Sequence, residues 1–326
     1  MGIDLLSLQP TVISRDLRGK YVLLYGKAKS GKTTAATQFP KSLLLAFEKG
    51  YNAIGGVIAQ DITKWSDYKL VIRQLAKPEV QERFQTIILD TISIAWDLCE
   101  QYICAQNSVQ KIADISWGAG YTACKKEFET SLRQITQLGY GVVLIAHSAS
   151  RIEKTADGNE IEIISPDLPK RAAEICNGIV DIIGYIGNEY TKEGEHKRWL
   201  YTRETPTLFA GSRFKYLEPK IPFGYQELVD AIADAIEKAE KLDGAVVVEH
   251  KEEAAIEQLD FKVVREEAQS LWTKIIQHDN SNIKTLNKKI EIIFGHPMKL
   301  SEVTEDQVDL LNLMNLEMRD ILKHYE

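Results

Sequence analysis

Between Tyr21 and Thr34 the chain reads YVLLYGKAKSGKTT. Gly26, Lys27, Ala28, Lys29, Ser30, Gly31, Lys32 and Thr33 spell G-x-x-x-x-G-K-[ST], the pattern of a phosphate-binding loop. It stands where such a loop works, after an apolar run and before a helical start. The chemistry accounts for the spelling. Glycines at 26 and 31 permit the backbone angles that turn successive N–H groups inward as an anion nest. Lys32 is spaced to reach the β- and γ-phosphates of a nucleotide, and the Thr33 hydroxyl to bind Mg²⁺. Thr34 carries the cradle into a helix whose positive end faces the anion. The expected ligands are ATP and Mg²⁺; the plainer alternative is a glycine turn carrying a surface lysine.

A second candidate metal ligand closes the run TIILD, Thr86–Asp90. Four hydrophobic-to-neutral residues ending in an aspartate fit a Walker-B strand, in which the carboxylate holds the water shell of Mg²⁺. A strand-capping aspartate is the alternative. Two more apolar runs also end in a polar group: SLLLAF at Ser42–Phe47 runs into Glu48, and GYGVVLIA at Gly139–Ala146 runs into His147. A charged residue just past the carboxyl end of a central strand lies in the crevice where doubly wound sheets bind ligands.

The elements that must position these residues follow from pattern. Short apolar runs at Tyr21–Tyr25, Ser42–Phe47, Thr86–Asp90 and Gly139–Ala146 read as buried parallel strands. Helical periods fall between them: Lys32–Phe39 stopped by Pro40, Asp61–Ala76 before Pro78, Ile92–Asn107 and Gly118–Leu138. Strand–helix alternation predicts an α/β fold with a mostly parallel sheet flanked by helices. Ser148–Lys170 is polar, contains Asp157-Gly158 and Pro166, and reads as a long irregular stretch with room for a small hairpin. Ala172–Asn177 reads as a helix, Val180–Ile186 as a strand and Glu189–Glu195 as a turn. Gln226–Lys241 reads as an amphipathic helix that seals a core of residues 1–242. Residues 243–258 read as a linker, and residues 259–326 as a small helical C-terminal module with patterns at Asp260–His278, Asn282–Phe294 and Glu302–Lys323. Thr304 and Gln307 have capping-box spacing.

Composition sets bounds. Apolar residues make up 44% of the 326 and charged residues 27%, an ordinary globular balance. No apolar run approaches the roughly 20 residues of a membrane span. Cys99, Cys104, Cys124 and Cys176 lack C-x-x-C spacing and read as reduced core residues of a cytoplasmic protein. The net charge of −7 does not advertise nucleic acid. It is uneven: 16 acids face 10 bases from Gly244 onward, which leaves the first 243 residues near −1. A local basic run spans His196–Lys220, where Lys197, Arg198, Arg203, Arg213, Lys215 and Lys220 oppose Glu204 and Glu218. Such a run is either a polyanion site or a solvated face.

Taken in order, GKAKSGKTT, LLLAFEKG, TIILDT and VVLIAHS resemble the RecA-like P-loop ATPases, and among them the phage nucleotide-binding ATPases that include short RecA-like single-strand annealing proteins. IDLLSLQPTVISRDLRGKYVLLYG, WGAGY at Trp117–Tyr121 and FAGSRF at Phe209–Phe214 carry the same likeness, which covers roughly residues 3–225. The resemblance implies an ATPase working on single-stranded DNA as a ring or filament, in recombination, annealing or replication. It implies Glu48 as the carboxylate that activates the attacking water and His147 as a polar γ-phosphate sensor. Ser148–Lys170 takes the place of the mobile DNA-binding loop, although Glu153, Asp157, Glu160, Glu162 and Asp167 depart from a strong DNA loop. Such assemblies complete the ATP site with a basic residue from the next subunit, for which Arg203 and Arg213 are candidates against ordinary salt-bridging.

Two other functions use the same residues. One is an ATP-gated assembly or loading adaptor whose acidic helical tail contacts a replication or recombination protein. The other is a small-molecule kinase, for which no lid-like arginine cluster is recognisable.

Overall fold

The computed structural model describes residues 12–14, 19–154, 157–190, 194–248, 259–323 and 325. They fall into two compact units, one within Thr11–Ala255 and one within Ile256–Glu326. The larger unit runs β1 (Ile13–Ser14), β2 (Tyr21–Gly26), α1 (Lys32–Ala36), β3 (Ser42–Ala46), β4 (Ala59–Asp61), α2 (Trp65–Leu75), α3 (Pro78–Arg83), β5 (Thr86–Asp90), α4 (Ile92–Gln106) and α5 (Ala119–Gln137). It continues through β6 (Gly141–Lys154), β7 (Glu160–Pro166), α6 (Lys170–Ile179), β8 (Ile182–Tyr190), β9 (His196–Tyr201), β10 (Gly211–Ser212), β11 (Lys220–Pro222), α7 (Tyr225–Asp243) and β12 (Val247–Val248).

Among the described residues the main sheet has the order β11-β9-β8-β2-β6-β5-β3-β4. Every ladder from β8 across to β4 is parallel, while β9, β10 and β11 attach antiparallel on the β8 side. The α/β fold is therefore a mostly parallel sheet flanked by helices. The apolar runs alternate as a strand must, with successive side chains on opposite faces. Leu23, Tyr25, Leu43, Leu45, Ile87 and Leu89 pack on one face against α2, α4, α5 and α6. Val22, Leu24, Leu44, Ile88, Val143 and Ile145 pack on the other against α1 and α7. Burial on both faces is why these strands lack an apolar–polar rhythm. All four cysteines are free and buried, and burial pushes the Cys176 thiol up to about 12. No helix among the described residues is long and apolar enough to cross a membrane.

Three segments differ from their sequence pattern. Asp61 ends a short edge strand, and its helix begins only at Trp65, after an extended Lys64. The first helix is α1, five residues long, rather than a helix reaching Phe39. Ser148–Lys170 is not irregular: β6 runs through it to Lys154 and pairs antiparallel with β7, from Ser148↔Pro166 to Lys154↔Glu160. Residues 155–156 at its turn, residues 191–193 of the turn after β8 and residues 249–258 of the expected linker lie outside the described residues.

The smaller unit packs α8 (Phe261–His278), α9 (Asn282–Phe294) and α10 (Val308–Leu322) around Val264, Leu271, Ile275, Leu286, Ile290, Leu311, Met314 and Met318. Asp260 caps α8 by accepting from the N–H groups of Lys262 and Val263. The Thr304–Gln307 capping box forms on a single 3₁₀ turn just before α10.

Candidate active site

Strand register gathers the polar groups. Gly26 at the end of β2 pairs with His147 on β6, and Asp90 at the end of β5 pairs with Ile145 on β6 and Ala46 on β3. Phe47 and Glu48, just beyond β3, donate their N–H groups to the Asp90 carbonyl at 2.8 and 3.3 Å. The loop from Gly26, Asp90, Glu48 and His147 thus meet along one carboxyl edge, where a doubly wound sheet opens its crevice.

The loop from Gly26 to Thr33 takes two left-handed turns, at Lys29 (φ 62°) and Gly31 (φ 94°). Gly26 has a different reason to be glycine: a Cβ there would sit 2.9 Å from the Ile186 carbonyl oxygen and 3.4 Å from Ser30 Oγ. Lys27, Ala28, Lys29 and Thr34 are exposed, whereas Ser30 and Lys32 are buried. Lys32 is only 5% exposed, and its Nζ donates to the Gly26 and Lys27 carbonyls at 3.0 and 2.9 Å. Burial lowers its pKa, and the charges of Asp90 and Glu48 oppose that shift. With α1 only five residues long, an anion bound here would rest on the loop amides more than on a helix dipole.

Thr33 Oγ1 donates to Asp90 Oδ2 at 2.6 Å. Asp90 is 4% exposed. Burial raises its pKa, partly offset by the Thr33 hydrogen bond, while Glu48 adds to the rise and Lys32 and His147 reduce it. Glu48 Oε1 lies 3.8 Å from His147 Nε2, both side chains about one-third exposed. The nucleophile-activating and sensing candidates are therefore neighbours, and Lys32 feels the charge of Glu48.

These residues fit Mg²⁺ and a polyphosphate. Among the described residues no cluster of three or more His, Cys, Asp or Glu side chains could cage a metal. One hydroxyl and one carboxylate in contact are instead the small set of hard oxygens that Mg²⁺ accepts when phosphates and waters complete its octahedron. Within the loop Ser30 Oγ is buried without a hydrogen-bond partner, an orphan polar atom of the kind a ligand satisfies.

The two arginines expected to serve a neighbouring subunit are engaged within their own chain. Arg203 donates to the carbonyls of Ser212, Phe214 and Lys215 at 2.7, 2.6 and 3.0 Å, pinning the end of β10 and the residues after it. Arg213 donates to the Gly178 carbonyl at 2.6 Å and pairs with Asp181 at 3.1 Å. Much of the basic run is neutralised in the same way: Lys215 pairs with Asp243 and Lys220 with Glu189.

Arg198 is the residue that sequence reasoning passed over, naming it only as part of that run. It stands on β9, and its Nη1 donates to the Ser30 carbonyl at 3.0 Å. Its signal was absent locally, because an antiparallel pairing far from the loop in sequence brings it there.

A family model described as an AAA domain matches residues 18–214, a span that includes every residue of the edge just described. The SPbeta prophage-derived uncharacterized protein YorG of Bacillus subtilis (strain 168) is 30% identical over 335 aligned residues, covering 99% of each chain.

Proposed function

The chain belongs to the AAA domain family, and from that premise we propose that it is a phage-type ATPase, RecA-like in its site, that hydrolyses ATP as an oligomer on single-stranded DNA in the cytoplasm of a bacterial host. The observation that carries the reading is the 2.6 Å contact between Thr33 and Asp90, made beside a buried Lys32 and within reach of Glu48.

The loop amides and Lys32 hold the β- and γ-phosphates, and Thr33 with Asp90 hold Mg²⁺. When bound, Mg²⁺ would supply positive charge that offsets the negative charge of the phosphates during transfer. Glu48 orients a water for in-line attack and accepts its proton as the water oxygen bonds to phosphorus. The bond to the bridging oxygen breaks at the same time, and its electron pair leaves with ADP. His147 sits beside the Glu48 carboxylate, positioned to respond to the γ-phosphate. Lys32 and the amides lower the barrier by charge and position alone.

A physical link supports the DNA part of the reading. Strand β6 runs unbroken from the sheet through His147 to Lys154, so the hairpin carrying Arg151, Ile152 and Lys154 shares a strand with the nucleotide end. Ile152 is 71% exposed there. Glu153, Glu160 and Glu162 on the same hairpin oppose its cations. ATP turnover measured with and without single-stranded DNA tests the proposal. Stimulation that fades steeply with salt is expected; a rate that is flat across DNA, RNA and buffer would refute the DNA part and leave the ATPase.

A second reading is an ATP-gated loading adaptor that grips a replication or recombination protein through its C-terminal helices. The compact, acidic unit within Ile256–Glu326 favours it. Turnover stimulated by a basic partner protein and not by DNA would select this reading.

A further inference from the structure

Arg198 lies against the outer side of the phosphate loop. Its Nη1 donates to the Ser30 carbonyl at 3.0 Å, and a Cβ on Gly31 would lie 2.7 Å from the same nitrogen. Gly31 is glycine for its φ of 94°, and the guanidinium lies close against it. Phe223 flanks the pair: its ring is 5.8 Å from the guanidinium, and the same hypothetical Cβ would meet it at 3.4 Å. The Phe223 N–H donates to the Arg198 carbonyl at 3.1 Å, beside the Trp199↔Pro222 pairing of β9 and β11, so the sheet itself sets ring and guanidinium together. Among the described residues no carboxylate forms an ion pair with Arg198; its guanidinium meets the Ser30 carbonyl and the Phe223 ring.

The bonded carbonyl belongs to the Ser30–Gly31 peptide. In a planar trans peptide the C=O and the N–H point in opposite directions. A cation that draws the Ser30 oxygen outward therefore turns the Gly31 N–H inward, toward the phosphates. A charge-assisted bond to the oxygen also polarises the amide and makes its N–H a stronger donor.

We propose that Arg198 is a positioning residue that aims and polarises the Gly31 amide of the phosphate loop, acting in cis from strand β9. The inference rests on the nucleotide-site reading above and adds to it a residue that need not touch the nucleotide. A peptide fixed this way serves ADP and ATP alike, because it acts on a phosphate that both carry.

The test measures binding of ADP and of a non-hydrolysable ATP analogue to the full chain as wild type, Arg198→Ala and Arg198→Gln, at low and high salt. The amide ¹⁵N–¹H shift of Gly31 is recorded on each protein without nucleotide. Arg198→Ala is expected to weaken both nucleotides by about tenfold, the size of one charge-assisted hydrogen bond. The loss is expected to be equal for the two nucleotides, to persist at high salt, and to appear in KM rather than kcat. Arg198→Gln retains an N–H donor without charge and is expected to recover part of it. The Gly31 amide is expected to shift in the Ala variant and less in the Gln variant. Wild-type affinity with an unmoved Gly31 amide overturns the inference. So does a loss that grows with nucleotide charge and vanishes at high salt, since that is a through-space field and not an aimed peptide. Should the Ala variant fail to fold, the Gln variant alone decides: a Gly31 amide at its wild-type position and unchanged affinity would be fatal. The amide shift reports the Arg198 bond without any ligand. Its failure is thus separable from failure of the site reading, which a wild-type chain binding neither nucleotide would produce.

Discussion

Two regions bury polar groups, and they do so for different ends. At the carboxyl edge of the sheet Lys32 and Asp90 are 5% and 4% exposed, and burial pushes both away from their charged forms. In the helical C-terminal unit the buried polar residue is Asn315, fully covered, with Nδ2 donating to the Val264 carbonyl at 2.9 Å. Asn315 ties α10 to α8 and carries no charge. The sheet edge instead keeps two opposite charges partly desolvated where apolar side chains would be more stable, as site residues tend to be kept. Removing a buried group should therefore cost function without stability at the edge, and stability without function in the helices.

The largest expected effect breaks this contrast if it fails. Lys32→Met should abolish nucleotide binding, a loss of at least about 100-fold for a buried phosphate-binding cation. Because burial already disfavours the Lys32 charge, the thermal midpoint without nucleotide should not fall. A variant that loses binding only because it unfolds would erase the distinction between the two regions. Next in size is Glu48→Gln. Turnover should drop by roughly 10²–10⁴ with nucleotide affinity retained, as for loss of a general base; normal turnover would move that base elsewhere, with Asp90 or a water network next in line.

Asp90 sharpens the contrast through pH. Its folded pKa is raised, so the folded state prefers the protonated acid, and the ionised form costs stability at pH values above the folded pKa. The penalty disappears once both states are protonated, below the ordinary aspartate value of 3.8. Asp90→Asn should therefore melt a few degrees higher than wild type at pH 7, with the gap closing as the pH falls toward that value. It should also lose Mg²⁺-dependent turnover. A gap that widened on acidification would mean that Asp90 is held as a stabilising carboxylate.

How much of this was legible in the chain depended on how local each signal is. Gly26–Thr33, Asp90, Glu48 and His147 could be named because each sits in or just past an apolar run, and strand ends in a parallel sheet converge without further information. The hairpin after His147 was harder. Ile161 and Ile163 alternate with glutamates on a ribbon whose strand β7 is at most partly covered from Glu160 to Ser165, so the period-2 signal is weak against its polar setting. Counting cations singled out Arg203 and Arg213 without showing their intrachain bonds, because their partners are mostly backbone carbonyls, which sequence does not display. Arg198 was hidden for the converse reason: its register with the strands on either side, and not its neighbours in sequence, brings it to Ser30.

The smallest effect tests the other half of the contrast. Asp260 Oδ1 accepts from the N–H groups of Lys262 and Val263 at 2.8 and 3.2 Å, satisfying donors that the first turn of α8 leaves open. Asp260→Ala should cost about 1 kcal/mol of local stability, the usual value of an N-cap. Hydrogen exchange on the full chain should show faster exchange in the α8 amides, while those of β2 and β5 keep their protection. ATP affinity should stay at the wild-type value, since the cap's hydrogen-bond partners lie in its own helix. A change in nucleotide affinity from this substitution would show that the helices share in the work of the site, and would favour the adaptor reading, in which nucleotide state and tail are coupled and any such coupling must run equally in both directions.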